Sequence, residues 1–255
     1  MLEIKNLSIA IDGKEILHNI NLRIENGKVV ILFGPNGSGK TSLLMAIIGL
    51  GNYKITSGKI IFKDRDITNL PTHERIKLGI GVMFQRPPTI KGVNIRDIAK
   101  FLGNYNEEEF RSLAKLLKVE HLLERSINMG FSGGEIKRTE LLQLLLQKPD
   151  LSLIDEPESG VDVENINLVG EAIKKLLEKT YTAYSNNLPM KDHHKKRKSS
   201  GLIITHTGLI LEHIPADEGL VLVEGKIVCK GNPYEIFDTV KNKGFNECLK
   251  CAIMK

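Results

Sequence analysis

A run of apolar residues, Val29-Val30-Ile31-Leu32-Phe33, leads directly into Gly34-Pro35-Asn36-Gly37-Ser38-Gly39-Lys40-Thr41. A continuous apolar run of this length reads as a strand buried on both faces, the kind found in parallel sheets. The glycines after it let the backbone curl until its N–H groups converge on an anion. Thr41 to Leu50 reads as a helix, and its N-terminus adds a favourable field for negative charge. A phosphate-binding loop requires this strand before it and this helix after it. Lys40 is therefore expected to neutralise the β- and γ-phosphates of a nucleoside triphosphate. Thr41 is expected to ligate Mg²⁺ through its hydroxyl, with Ser42 beside it in the binding set.

A second glycine pair and an acidic pair narrow the chemistry. Phe131-Ser132-Gly133-Gly134-Glu135 combines a hydroxyl, bare glycine N–H groups and an expected helix start, which together make another anion site. Leu151-Ser152-Leu153-Ile154 is an apolar run that ends in Asp155-Glu156-Pro157. Asp155, read as ending a strand next to the phosphate-loop strand, can hold Mg²⁺ through its water shell. Glu156 lies one residue further and can point toward the γ-phosphate, where it would orient or deprotonate the attacking water.

Around these motifs the chain reads as α/β. Leu2 to Ile11 and Ile16 to Ile24 are expected to form antiparallel strands about a turn at Asp12-Gly13, and Ser57 to Phe62 with Asp64 to Asp66 a further hairpin. Thr72 to Gln147 reads as mostly helical, with the acidic run Glu107-Glu108-Glu109 in the first turn of one helix. Strand 151–154, helix 164–179, strand 202–205, strands 220–223 and 226–229 and helix 234–243 follow. Helices alternating with apolar strands imply a mainly parallel core sheet. The expected organisation is one domain. Residues 1–70 and 148–245 are expected to form a nucleotide-binding core lobe with an antiparallel β part, and residues 71–147 a helical subdomain. Residues 180–200 are a basic exposed insertion.

Composition sets outer limits. With 41% hydrophobic and 26% charged residues over 255 positions, the chain is globular. Its three cysteines suit a reducing compartment, and no apolar run approaches the roughly 20 residues of a membrane span. Met1-Leu2-Glu3-Ile4-Lys5 lacks a basic-then-apolar signal pattern, so a cytoplasmic location without direct membrane insertion is expected. The net charge of +5 is concentrated in Lys191 to Lys198, which has no interleaved aromatics. That argues against nucleic acid as a partner and for a solvated loop. Cys248-Leu249-Lys250-Cys251 supplies two of the four ligands a tetrahedral metal site needs, and is read as two incidental thiols.

With these motifs in register, the chain resembles the ABC ATPases along nearly its whole length. The resemblance implies an ATPase that binds ATP and Mg²⁺ and forms a transient ATP-dependent homodimer. Ser132-Gly133-Gly134-Glu135 resembles the signature that contacts the γ-phosphate held by the other subunit, although that family usually has Leu and Gln where Phe131 and Glu135 stand. Gln85 resembles the Q-loop residue that senses Mg²⁺ and a partner protein. Ser159-Gly160-Val161-Asp162 resembles the D-loop, and His206 the switch histidine. The aromatic on which such domains stack adenine is replaced by Ile11, so weak or base-tolerant nucleotide binding is expected.

Within the ABC ATPases, three stretches resemble the SufC family of the Suf iron–sulfur system. These are Met83-Phe84-Gln85-Arg86-Pro87 with Gly92-Val93, the run FSGGEIKRTELL from Phe131 to Leu142, and Asp155-Glu156-Pro157-Glu158-Ser159-Gly160-Val161-Asp162. That resemblance implies a scaffold similar to the SufB and SufD proteins as partner. The ATP-binding subunit of a membrane transporter is the competing reading. About 90 residues separate Lys40 from Ser132, which leaves no room for the long coiled coil of chromosome and DNA-repair ABC ATPases. Lys40, Asp155, Glu156 and His206 together argue against a catalytically dead module.

Overall fold

The computed structural model describes residues 1–102, 105–179 and 197–245. Strands β1 (Leu2–Ile11) and β2 (Lys14–Ile24) pair antiparallel, as expected, around Asp12-Gly13. Both turn residues have positive φ, the geometry that matches the twist of a two-residue hairpin. With β4 (Lys54–Phe62) and β5 (Arg65–Asp66) they form a four-stranded antiparallel sheet ordered β2-β1-β4-β5.

The core sheet contains β3 (Val29–Phe33), β6 (Ile80–Met83), β9 (Leu151–Asp155), β10 (Ser200–Thr205), β11 (Glu218–Val223) and β12 (Lys226–Gly231). Its order is β12-β11-β3-β10-β9-β6, parallel except where β12 pairs with β11. Alternate residues of β3 enter different cores. Val30 and Leu32 pack with the antiparallel sheet and helix α1 (Lys40–Ile48), while Val29, Ile31 and Phe33 face the opposite core. That second core is covered by α3 (Ile95–Phe101), α4 (Glu107–Leu116), α5 (Gly133–Gln147), α6 (Val163–Glu178) and α7 (Pro233–Lys243).

Three expectations change. The stretch 72–147 holds α2 (Thr72–Lys77), α3, α4 and α5, but it also holds β6 and the small pair β7 (Ile90–Asn94) and β8 (Ser126–Ile127). Ile80-Gly81-Val82-Met83 is too short for periodicity to tell a buried strand from a helix, and pairing with β9 decides it. Second, β9 is not adjacent to the phosphate-loop strand, because β10 lies between them and pairs with both. Strand order depends on crossovers, which local pattern does not encode. Third, the end of the basic insertion belongs to the core. The Arg197 guanidinium is buried, paired with Asp217 and bonded to the Pro215 carbonyl, and Ser199 and Ser200 are fully buried. Residues 180–196 and the Cys248–Cys251 pair lie outside the described residues.

Candidate active site

The carboxyl ends of the parallel strands open on a cavity of about 620 Å³. Clefts at this end are the usual ligand position of open α/β sheets. The phosphate loop forms its floor. Gly34 is required by close approach, since a Cβ there would lie 2.3 Å from the Leu222 carbonyl oxygen. Helix α1 starts at Gly39 without any side-chain cap, so its first N–H groups are left for an anion. Lys40 is buried, with its ammonium donating to the carbonyls of Gly34 at 2.8 Å and Pro35 at 2.9 Å. Burial lowers its pKa, and the nearby carboxylates of Glu156 and Asp155 oppose that shift. Asn36, Gly37, Gly39, Lys40, Thr41 and Ser42 all line the cavity.

Thr41 donates its hydroxyl to Asp155 Oδ2 at 2.8 Å. Asp155 Oδ1 is buried without a partner, and burial raises the carboxyl's pKa. A hydroxyl and a carboxylate with an unmatched oxygen form a hard oxygen donor set. Such a set suits a small divalent cation that also takes ligands from phosphate and water. Among the described residues no group of three or more His, Cys, Asp or Glu side chains could hold a metal by itself.

Glu156 connects the remaining polar groups. Its Oε2 accepts from Gln85 Nε2 at 2.5 Å, and its Oε1 lies 3.0 Å from His206 Nδ1. It is a non-glycine residue at φ 48°, a costly backbone state that functional sites tend to retain. Its N–H donates to the Ile204 carbonyl at 2.9 Å, tying the bend to β10. Gln85, Glu156, Lys40 and Thr41 thus meet in one space, with Asp155 and His206 against it.

The signature residues lie elsewhere. Ser132 caps α5 and forms a reciprocal box with Glu135. The Ser132 N–H donates to Glu135 Oε2 at 2.8 Å, and the Glu135 N–H donates to Ser132 Oγ at 3.3 Å. The His121 ring 2.9 Å away and the Ser132 N–H hold the Glu135 carboxyl down at about 2. Ser132 and Gly133 are exposed, as is Asp162 at the start of α6, and none of these lines the cavity.

Pattern reading missed four contributors. His18 lines the cavity together with Ile11, so an imidazole ring stands on the wall that lacks the expected aromatic. Lys137, 2% exposed, donates to the carbonyls of Phe84 at 2.8 Å and Gln85 at 3.1 Å. Glu140 accepts the Phe84 N–H at 3.0 Å, and burial pushes its carboxyl up to about 7. Glu158 bonds the hydroxyls of Thr205 and Thr207. The available signal was a Lys and a Glu three residues apart on the helix that also carries the apolar run Leu141 to Leu146.

Comparison with known proteins agrees with this geometry. The family model described as ABC transporter matches residues 17–159. A probable ATP-dependent transporter, ycf16, of Cyanidium caldarium is 36% identical, with 96% of this chain and 95% of that protein covered. A probable ABC transporter ATP-binding protein of Streptococcus pyogenes is 34% identical, covering 91% of this chain and 89% of that protein. In fold, the chain matches a solved ATP-binding subunit of an ABC transporter at TM-score 0.75 and 21% identity, over 99% of both chains. It also matches the ADP conformation of the ATP-binding cassette MJ1267 at TM-score 0.69 and 24% identity, over 100% of this chain and 99% of that one. A phosphate loop, a buried Asp-Glu pair and a separate signature helix, on a fold and sequence shared with these proteins, make this chain a member of the ABC transporter family, an ATP-binding subunit that hydrolyses ATP.

Proposed function

We propose that two copies of this chain close on Mg–ATP and use hydrolysis to drive a conformational change in a scaffold similar to the SufB and SufD proteins, for iron–sulfur cluster assembly. The observation that carries this reading is the grip of α5 on the Q-loop. Lys137 and Glu140 take the carbonyl and N–H of Phe84, and Lys137 also takes the carbonyl of Gln85. Both belong to the run FSGGEIKRTELL, one of the three stretches that carry the SufC resemblance. A partner moving the Q-loop would therefore move Gln85 against Glu156. Beside this grip lies a cleft of about 240 Å³, lined by Phe84, Pro87, Ile90, Ile98, Leu102 and Leu144, and Phe101, next to Leu102 in sequence, is 89% exposed. We assign the scaffold to this surface.

In the hydrolytic step, the loop N–H groups, Lys40 and the start of α1 hold the triphosphate. Thr41 and Asp155 are the residues that would hold Mg²⁺, which supplies charge neutralisation on the phosphates when bound. Glu156 orients a water whose oxygen attacks the γ-phosphorus as the bond to the β–γ bridging oxygen breaks. Glu156 takes the water's proton, and ADP and phosphate leave. His206 and Gln85 hold the Glu156 carboxylate. Ser132, Gly133 and Gly134 of the second copy close over the γ-phosphate, with Asp162 on the same interface. Contacts that exist only with ATP bound shift the pair toward closure.

The names of the relatives, ATP-dependent transporter and ABC transporter ATP-binding protein, favour a second reading, in which the partner is a membrane transporter. No helix among the described residues is long and apolar enough to cross a membrane, so a separate chain would supply the spans. The discriminating experiment traps the closed pair with Glu156→Gln and ATP and identifies what co-purifies from cytosol and membranes. Scaffold proteins bearing cluster-ligand cysteines are expected. A polytopic membrane protein would overturn the scaffold reading and leave the ATPase intact.

A further inference from the structure

Glu158 is a buried carboxyl that the mechanism above does not use. The residue is 7% exposed, and burial pushes its pKa up. Its Oε1 accepts from the hydroxyl of Thr205 and, at 2.8 Å, from that of Thr207. Its Oε2 is buried without a partner. A buried carboxyl is costly to the fold, and an apolar side chain of similar size would fill the space at less expense.

The position of the two hydroxyls gives the carboxyl a use. They flank His206 in sequence, and one oxygen of Glu158 holds both. The Thr205 hydroxyl also accepts the Gly208 N–H at 2.8 Å, which folds the chain back directly after His206. The His206 backbone is thereby fixed on both sides, and its Nδ1 comes to 3.0 Å from Glu156. Glu158 itself belongs to the turn at residues 157–160 that follows Glu156. The other end of that turn rests on the signature helix. A Cβ added at Gly133 would lie 2.8 Å from the Gly160 carbonyl oxygen. One short turn therefore touches the signature through Gly160 and the switch histidine loop through Glu158.

We propose that Glu158 is a positioning residue for ATP hydrolysis: it clasps Thr205 and Thr207 so that His206 is held against Glu156, and it ties that alignment to the turn resting on the signature helix. The proposal rests on the reading that Glu156 and His206 form the hydrolytic pair. A misalignment of about 1 Å in such a pair can cost on the order of 10²-fold in rate without touching substrate affinity.

The test measures ATP turnover of the full chain and, separately, its affinity for a non-hydrolysable ATP analogue. Glu158→Ala is expected to lower kcat by about 10- to 100-fold while analogue affinity stays within about twofold. Glu158→Gln keeps an acceptor oxygen for both hydroxyls and is expected to retain most of the activity. Thr207→Val, a near-isosteric change at a half-buried position, should lower kcat in the same direction and supplies the test if Glu158→Ala does not fold. In the double variant the two losses should not add, because each removes the same contact. Losses that add, or kcat and analogue affinity falling together with thermal stability, would overturn the clasp. So would wild-type turnover in Glu158→Ala where Glu156→Gln is inactive. Wild-type turnover in Glu156→Gln would instead defeat the hydrolytic pair on which the clasp rests.

Discussion

The phosphate loop and the signature are both glycine-rich helix starts, yet the fold treats them differently. At the phosphate loop, one chain brings the binding groups together. Leu222 closes on Gly34, the ammonium of Lys40 is held by two loop carbonyls, and Asp155 meets Thr41. At the signature, Ser132 and Gly133 face outward, and the hydroxyl and carboxylate of Ser132 and Glu135 are occupied in capping their own helix. One glycine-rich helix start is built into a cavity of its own chain, and the other is exposed, where in the proposed closed pair a second copy would use it. Binding and hydrolysis should therefore separate by mutation, because different regions control them.

The largest separation is expected at Glu156. Glu156→Gln keeps the shape of the side chain and an acceptor for Gln85 but removes the carboxylate proposed as the base. Turnover should fall by about 10²–10⁴-fold while ATP remains bound. Steady-state phosphate release and equilibrium ATP binding check the two halves, and wild-type release would remove Glu156 from its role. Ser132→Arg tests the other side of the comparison by placing bulk and charge on the signature face. A loss of turnover on the order of 10²-fold is expected, the scale of removing one transition-state donor. The single chain should bind ATP as before. Lys40→Ala should abolish that binding. Equal losses of single-chain ATP affinity from Ser132→Arg and Lys40→Ala would collapse the distinction between the two sites.

A third prediction concerns the join between the regions, where Glu140 on the signature helix holds the Q-loop. Its carboxyl is raised from the ordinary carboxylate range to about 7, chiefly by burial. A carboxyl whose folded pKa exceeds its unfolded value stabilises the fold at low pH. That contribution is complete below the unfolded pKa and is lost as pH rises through about 7. The loss is about 3 kcal/mol at most. Glu140→Gln retains an acceptor for the Phe84 N–H and cannot ionise. Denaturant unfolding at pH 5 and pH 8 should show native stability falling over that interval and the variant nearly level. Parallel profiles would mean that Glu140 is already paired as an anion.

What could be read from the sequence follows the range of the forces involved. The strand before the phosphate loop and the antiparallel hairpin are encoded by neighbours in sequence and form where the pattern put them, and Asp155 ends a buried strand as expected, though not the one beside the phosphate-loop strand. The insertion of β10 between β3 and β9 is a long-range choice that no local pattern carries. Ile80–Met83 was hidden by its length. Lys137, Glu140 and Glu158 were hidden for another reason: charged residues are usually solvated, and only the folded chain reveals that these three are buried against backbone or hydroxyl partners. Glu135 gains a reason in the structure, since a carboxylate at the third position of α5 completes a capping box with Ser132.

The smallest predicted effect concerns the far wall of the cavity, where sequence and structure differ over the base. Ile11 offers no ring, but His18 does. It is half-buried, with its backbone N–H donating to the Gly225 carbonyl at 2.8 Å and its ring Nδ1 3.7 Å from a Glu15 carboxylate oxygen. Gly225 leaves the imidazole its space, since a Cβ there would come within 2.9 Å of His18 Cδ2. Stacking of a base on an aromatic ring is worth about 1–3 kcal/mol, and an imidazole, being smaller, should give about 1 kcal/mol. His18→Ala should then weaken ATP binding by roughly fivefold while leaving the affinity for inorganic triphosphate unchanged. His18→Tyr should strengthen ATP binding, because it enlarges the stacking face. If ATP and triphosphate weaken together in His18→Ala, the imidazole acts on the phosphates or on loop geometry, and the wall carries no base contact. If only ATP weakens, base recognition has moved from the β1 end at Ile11 to β2, and the two sides of the cavity divide the nucleotide between them: the phosphate loop binds its charge and His18 its ring.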